Sequence, residues 1–128
     1  MNRSIVAAAL TAALTVSGAL GTYITTQGSG ITVQTPTIVY TDTPCGSAAN
    51  AGCYDTVRPN EIQVGPHATE ATIVHETQHF ISNRDNLDLT ECQVSKITLD
   101  AGYEDGYARA GYCKDGQPTA SFPTDRKN

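Results

Sequence analysis

At 128 residues, with a formal net charge of −5 and no cluster of Lys or Arg, the chain has room for one domain and lacks the basic surface that nucleic acid or an anionic membrane would need. Setting the two ends aside leaves about 90 to 100 residues to build a core, a size at which cross-links or a bound metal usually supplement burial. There is no internal repeat and no heptad.

Arg3 precedes an uncharged run from Ile5 to Leu20, mostly Ala, Leu, Val and Ile, which ends in the small residues Ser17, Gly18, Ala19 and Gly21. A positive start, a short apolar stretch and a small-residue exit predict a signal peptide over residues 1–21, cut after Ala19 or Gly21. Its removal takes Arg3 with it and leaves a charge of −6. Residues 5–24 are about long enough to span a bilayer as an uncleaved anchor, but their Ala-, Thr- and Gly-rich composition is only weakly apolar and favours cleavage. Either outcome places the rest of the chain outside the cytoplasm, secreted or extracytoplasmic, with membrane contact only if the segment is retained.

Residues 22–30 read as a polar linker. Ile31 to Thr41, with Ile31, Val33, Ile38 and Val39, predicts a strand or two halves divided at Pro36. Pro44 to Ser47 opens a turn, and the Gly, Ser, Ala and Asn between Cys45 and Cys53 make a loop. A second strand starts near Cys53. After a turn at Pro59-Asn60, Glu61-Ile62-Gln63-Val64 alternates with the period of a half-buried strand, and Gly65-Pro66 ends it.

Thr69 is the expected N-cap of a helix from Glu70 to Ser82, with Glu70 favourably placed in the first turn and Asn83 as a left-handed C-cap. A loop over Arg84 to Leu89 leads to a second helix, from Asp88 or Thr90 to about Ala101, with Val94, Ile97 and Ala101 on one stripe. Gly102 breaks it. Tyr103 to Tyr112 predicts a third short helix interrupted at Gly106 and Gly111, and residues 114–128 read as a disordered tail.

The first helix carries His75-Glu76-Thr77-Gln78-His79. Residues four apart share one helix face, so His75 and His79 can hold one metal ion, and Glu76 stands beside them as a general base; this is a zinc-hydrolase pattern. Such a site takes a third protein ligand, usually a carboxylate, and leaves the fourth position to water. The remaining histidine, His67, lies just before the helix and reads better as a solvated side chain, so a carboxylate is the expected third ligand.

The run from Thr72 to Ile81, TIVHETQHFI, resembles the extended signature of the zincin metallopeptidases. The resemblance covers those ten residues directly and about Ile62 to Leu99 loosely. It implies an α+β fold over residues 31–113: a minimal zincin-like domain, with a small β-sheet packed on an active-site helix plus one or two further helices. The edge strand of that sheet would line the substrate groove. In this chain that position falls to Ile62–Val64, and a peptide could add to it by backbone hydrogen bonds.

The resemblance also frames the third ligand. Asp85, six residues after His79, has the metzincin and snapalysin-like spacing, but Ser82 stands where that pattern has glycine, and the only methionine is Met1, so no methionine turn follows. Glu91, twelve residues after His79 in the first turn of the next helix, matches a gluzincin-like arrangement and is preferred; Asp85 is the alternative, with Asp88 and His67 behind it. The expected chemistry is peptide hydrolysis, with a single zinc ion activating water and Glu76 as general base. Tyr54, Tyr103, Tyr107 and Tyr112 are candidate donors to the oxyanion, although each is also a reasonable core residue.

Cys45, Cys53, Cys92 and Cys113 predict two disulfides in an exported chain. Cys45–Cys53 closes a short loop, and Cys92–Cys113 ties the helix bearing Glu91 to the C-terminal segment. Without a C-x-x-C pair, the cysteines make poor zinc ligands. The function expected from the sequence is therefore an extracytoplasmic zinc-dependent peptidase acting on a peptide or protein. The alternatives are a catalytically silent, zinc-stabilised binding domain and a membrane-anchored accessory protein.

Overall fold

A computed structural model describes residues 34–125; the expected signal peptide and linker, and the start of the strand placed at Ile31, lie outside the described residues. Three short strands make the main sheet: β1 (Thr37–Tyr40), β2 (Gly52–Tyr54) and β3 (Glu61–Val64). Their order is β1-β3-β2. β1 runs parallel to β3, with Ile38 opposite Ile62, and β2 runs antiparallel to it, with Cys53 opposite Gln63.

The alternation read in Glu61–Val64 is the pattern of the central strand. Ile62 and Val64 are fully buried while Glu61 and Gln63 are half-covered. The expectation that Ile62–Val64 forms the edge strand beside the site is therefore corrected, because strands pair with it on both sides. The edge strand next to the motif helix is β2, and Gly52 makes that possible: a Cβ there would come within 2.6 Å of Thr72 Cγ2 and 3.2 Å of Glu76 Cγ. Strand and helix can approach this closely only where the side chain is missing.

Helix α1 spans Glu70–Arg84. Thr69 caps it, with a reciprocal hydrogen-bond pair between Thr69 and Thr72 at its start. The helix continues two residues past the expected end at Ser82 and closes at Asp85, so Asn83 is helical and is not the left-handed cap. The left-handed residues are Asn86 and Asp88, with φ of 54° and 53°, in the return loop. Ser82 fixes that loop: its hydroxyl accepts from Leu89 N–H at 2.9 Å and its carbonyl from Leu87 N–H at 2.9 Å.

Helix α2 (Glu91–Asp100) starts from a second capping box, Thr90 with Gln93. Helix α3 is a single turn, Gly106–Arg109, capped by Asp105. The chain from Lys114 onward, expected as a disordered tail, instead pairs β4 (Cys113–Lys114) with β5 (Gln117–Pro118). Asp115 and Gly116 both have positive φ, 52° and 80°, the requirement of a two-residue hairpin turn, and Cys113 is bonded to Cys92. Phe122 then stacks on Tyr107 at 6.1 Å.

The result is a small α+β domain. Ile62, Val64, Phe80 and Ile81 form the core between sheet and α1, with Ile38, Tyr54, Ala68 and Ile73 packed around it. The structure pairs Cys45 with Cys53 and Cys92 with Cys113, cross-links that fit an extracellular protein. Among the described residues no helix is long and apolar enough to cross a membrane.

Candidate metal centre

The capped, unbroken α1 puts His75 and His79 on one face, their rings 5.1 Å apart. The Ser82-pinned return loop brings the first residue of α2 back over that face. Glu91 Oε2 lies 2.6 Å from His75 Nε2 and 2.9 Å from His79 Nε2. The three ligand atoms lie within 4.8 Å of one another, so one ion can be held by two imidazoles and a carboxylate.

The other candidates stand elsewhere. Asp85 turns back to Arg84, with oxygens 2.8 and 3.0 Å from the guanidinium. The helix running on through Ser82 carries it past the histidine face. His67 is exposed on the rim of the cleft, and Asp88 is exposed in the return loop.

His75 has a second partner that sequence reasoning does not single out. Asp105 Oδ1 sits 2.6 Å from His75 Nδ1, and the residue is buried at 5% exposure. The other oxygen, Oδ2, accepts from Ser95 Oγ at 2.5 Å and from the backbone N–H groups of Tyr107 at 3.0 Å and Ala108 at 3.2 Å. A neutral His75 therefore carries its proton on Nδ1, toward Asp105, and has the Nε2 lone pair to offer a metal ion. The Tyr107 ring stacks on His75 at 5.8 Å and 12°, which fixes its plane. The available signal was the need for a buried acceptor behind any metal-binding imidazole, together with an aspartate before a glycine-started helical turn.

The charges follow from this arrangement. Burial alone would lower the His75 pKa, but the hydrogen bonds to Asp105 and Glu91 outweigh it and raise it to about 10. Burial alone would raise the Glu91 pKa, but its bonds to His75 and His79 lower it to about 2. Asp105, pushed up by burial, is likewise held below the usual carboxylate range by His75 and Ser95. Metal-free, the site is an ion pair with a proton on His75, and binding an ion must expel that proton.

Glu76 lines the same cleft as the three ligands. Burial pushes its carboxyl pKa up; the two histidines oppose this, and the carboxyl accepts the Tyr54 backbone N–H. Of the four tyrosines, Tyr54, Tyr107 and Tyr112 line the cleft; Tyr54 donates its hydroxyl to Pro59 O at 2.9 Å, and Tyr103, outside the cleft, donates to Glu70 at 2.7 Å. Compared with protein-family models, curated proteins and solved structures, the chain has no significant match.

Proposed function

We propose that the protein is an extracytoplasmic zinc-dependent peptidase of the zincin kind, acting on peptide or protein substrates. The observation that carries this reading is a carboxylate with no place in the ligand set, Glu76, opening onto the same cleft as His75, His79 and Glu91. A silent, structural zinc site would need the ligands but not a base beside them. Two imidazoles and one carboxylate are the donor set of a hydrolytic zinc site with an open fourth position.

His75, His79 and Glu91 would hold the ion, with Asp105 orienting His75 through Nδ1. A bound zinc supplies a Lewis acid that polarises the scissile carbonyl and lowers the pKa of water to about 7. Glu76 takes the proton from the attacking water and returns it to the departing amine. Tyr54, Tyr107 and Tyr112, which line the cleft, are candidate donors to the developing oxyanion.

The test combines metal analysis with a Glu76→Gln comparison on a broad peptide library. The expected result is about one zinc per chain in both forms, with cleavage by the wild-type chain lost in the variant. Zinc bound by both forms with cleavage by neither would replace the peptidase with a silent metal domain.

A further inference from the structure

One short turn holds His75 from two directions. Asp105, the cap of α3, meets its Nδ1 at 2.6 Å. Tyr107, two residues on, stacks against its ring at 5.8 Å with the planes 12° apart. The hydrogen bond selects the nitrogen that faces the aspartate. The stack limits how far the ring can swing about that bond, and so where Nε2 points. Yet α3 has only four residues, Gly106–Arg109. A single helical turn has no stability of its own, so Tyr107 must be held in place by contacts from outside it.

The C-terminal segment supplies such contacts. Phe122 stacks on Tyr107 at 6.1 Å with 21° between the planes. Tyr112 stands edge-on to both, 6.2 Å from Tyr107 and 6.4 Å from Phe122. Each spacing lies in the range in which aromatic rings attract one another. Main-chain bonds close the cluster: Tyr112 N–H donates to Tyr107 O at 2.9 Å, Thr119 N–H to Tyr112 O at 2.8 Å and Phe122 N–H to Thr119 O at 3.1 Å. The Thr119 hydroxyl donates to Gly111 O at 2.5 Å. The β4–β5 hairpin makes this return of the chain possible, and the Cys92–Cys113 bridge ties its first strand to α2. Phe122 is half-buried and is not among the residues that line the metal cleft, so its bearing on the ligands runs through the rings it touches.

We infer that Phe122 is a positioning residue of the metal site: by holding Tyr107 against His75 it keeps the imidazole in the plane from which Nε2 meets an ion. The inference rests on the metal-binding part of the proposed function and is independent of the hydrolysis. It gives the end of the chain a task at a ligand on α1. An aromatic residue that only covered apolar surface would act on stability alone. One that sets the attitude of a ligand acts on metal affinity and on coordination geometry, because the groups behind a ligating imidazole fix its orientation.

The test uses the full chain. It reads zinc affinity by competition with a chelator, the visible spectrum of cobalt(II) bound in place of zinc, whose bands follow coordination geometry, and the melting temperature of the metal-free form. Phe122→Leu keeps apolar bulk and removes the ring. It is expected to weaken zinc binding by about three- to tenfold, the worth of one aromatic pair, and to shift the cobalt bands. Phe122→Tyr keeps the ring and should return affinity and spectrum to those of the wild-type chain. In a chain that already carries Tyr107→Leu, adding Phe122→Leu should cost no further affinity, because its route to His75 is gone. An equal loss with and without Tyr107 would overturn the inference and leave the metal site standing. So would a lowered melting temperature with zinc affinity and cobalt spectrum unchanged. A wild-type chain that binds neither ion would remove the metal reading and this inference with it.

Discussion

The two halves of the domain are held together by different means. From Thr37 to Arg84 an apolar core, Ile62, Val64, Phe80 and Ile81, locks the sheet to α1, with His75, Thr77, Gln78 and Ser82 buried beside it and the Cys45–Cys53 bridge and the Thr69 capping box in support. From Glu91 to Asp125 the buried apolar set shrinks to Val94 and the two bridged cysteines, Cys92 and Cys113, while Ser95, Thr98 and Asp105 are buried polar residues. The first half supplies His75, Glu76 and His79 on a rigid helix. The second supplies Glu91 and Asp105, and it is positioned by a disulfide, a capping box and the hydrogen bonds of the site. A domain this small has enough apolar residues for one core, and here that core lies under the histidine helix. The half that completes the site depends on cross-links and on the site itself.

The contrast between the halves is tested most severely at Phe80. Its ring is 1% exposed and packs edge-on against Tyr54 at 6.3 Å. Phe80→Ala should cost about 3–5 kcal/mol of stability, read by denaturant unfolding, and remove both histidines from register together. A loss under about 1 kcal/mol would mean the first half does not depend on its core.

Next in size is the Cys92–Cys113 bridge, which closes a segment with a sequence separation of 21. Replacing both cysteines by serine should cost about 3 kcal/mol from the loop-closure term. It should also weaken metal binding, because Cys92 follows Glu91 directly and Cys113 opens the β4–β5 hairpin. The same change at Cys45 and Cys53 lies in the half with the apolar core and should leave metal affinity within about threefold. Equal losses of metal affinity from the two bridges would erase the distinction between the halves.

The same division governs what the sequence discloses. In the first half, alternation marks Glu61–Val64 and the Thr69 cap and unbroken pattern mark α1, because apolar periodicity is what holds them there. The edge position of β2 is not legible, since it depends on Gly52 meeting Thr72 and Glu76, a contact between segments about twenty residues apart. In the second half, Thr90 and Glu91 announce α2, but α3 is one turn and the hairpin has only two residues in each strand. Asp115-Gly116 is a hairpin turn signal hidden in a polar stretch that resembles a tail. The only local mark of Asp105 is its place before Gly106 as a helix cap; its role at the site is defined by His75, thirty residues away. The absence of an early helix end at Ser82 is similarly tertiary: the serine hydroxyl serves the return loop.

The smallest effect bears on Asp105, where the two halves meet. One oxygen faces His75 Nδ1 and the other accepts from Ser95 and two backbone N–H groups of α3. Asparagine keeps the shape but has a single acceptor, and its NH2 is a donor only. Asp105→Asn must therefore present its NH2 either to His75 Nδ1 or to the N–H groups of Tyr107 and Ala108, donor against donor in both cases. If the amide oxygen stays with His75, the cap of α3 is lost and Tyr107 loosens from the imidazole face; if it turns to the cap, His75 loses the partner that fixes its tautomer. Either way zinc affinity should fall about 10- to 100-fold, measured by competition with a chelator. Ser95→Ala, which removes one of the three donors to Oδ2 and leaves His75 paired, should lower it by less. Unchanged affinity in Asp105→Asn, with a lowered melting temperature in the metal-free form, would show that Asp105 serves α3 alone and that the second half contributes only Glu91 to the site.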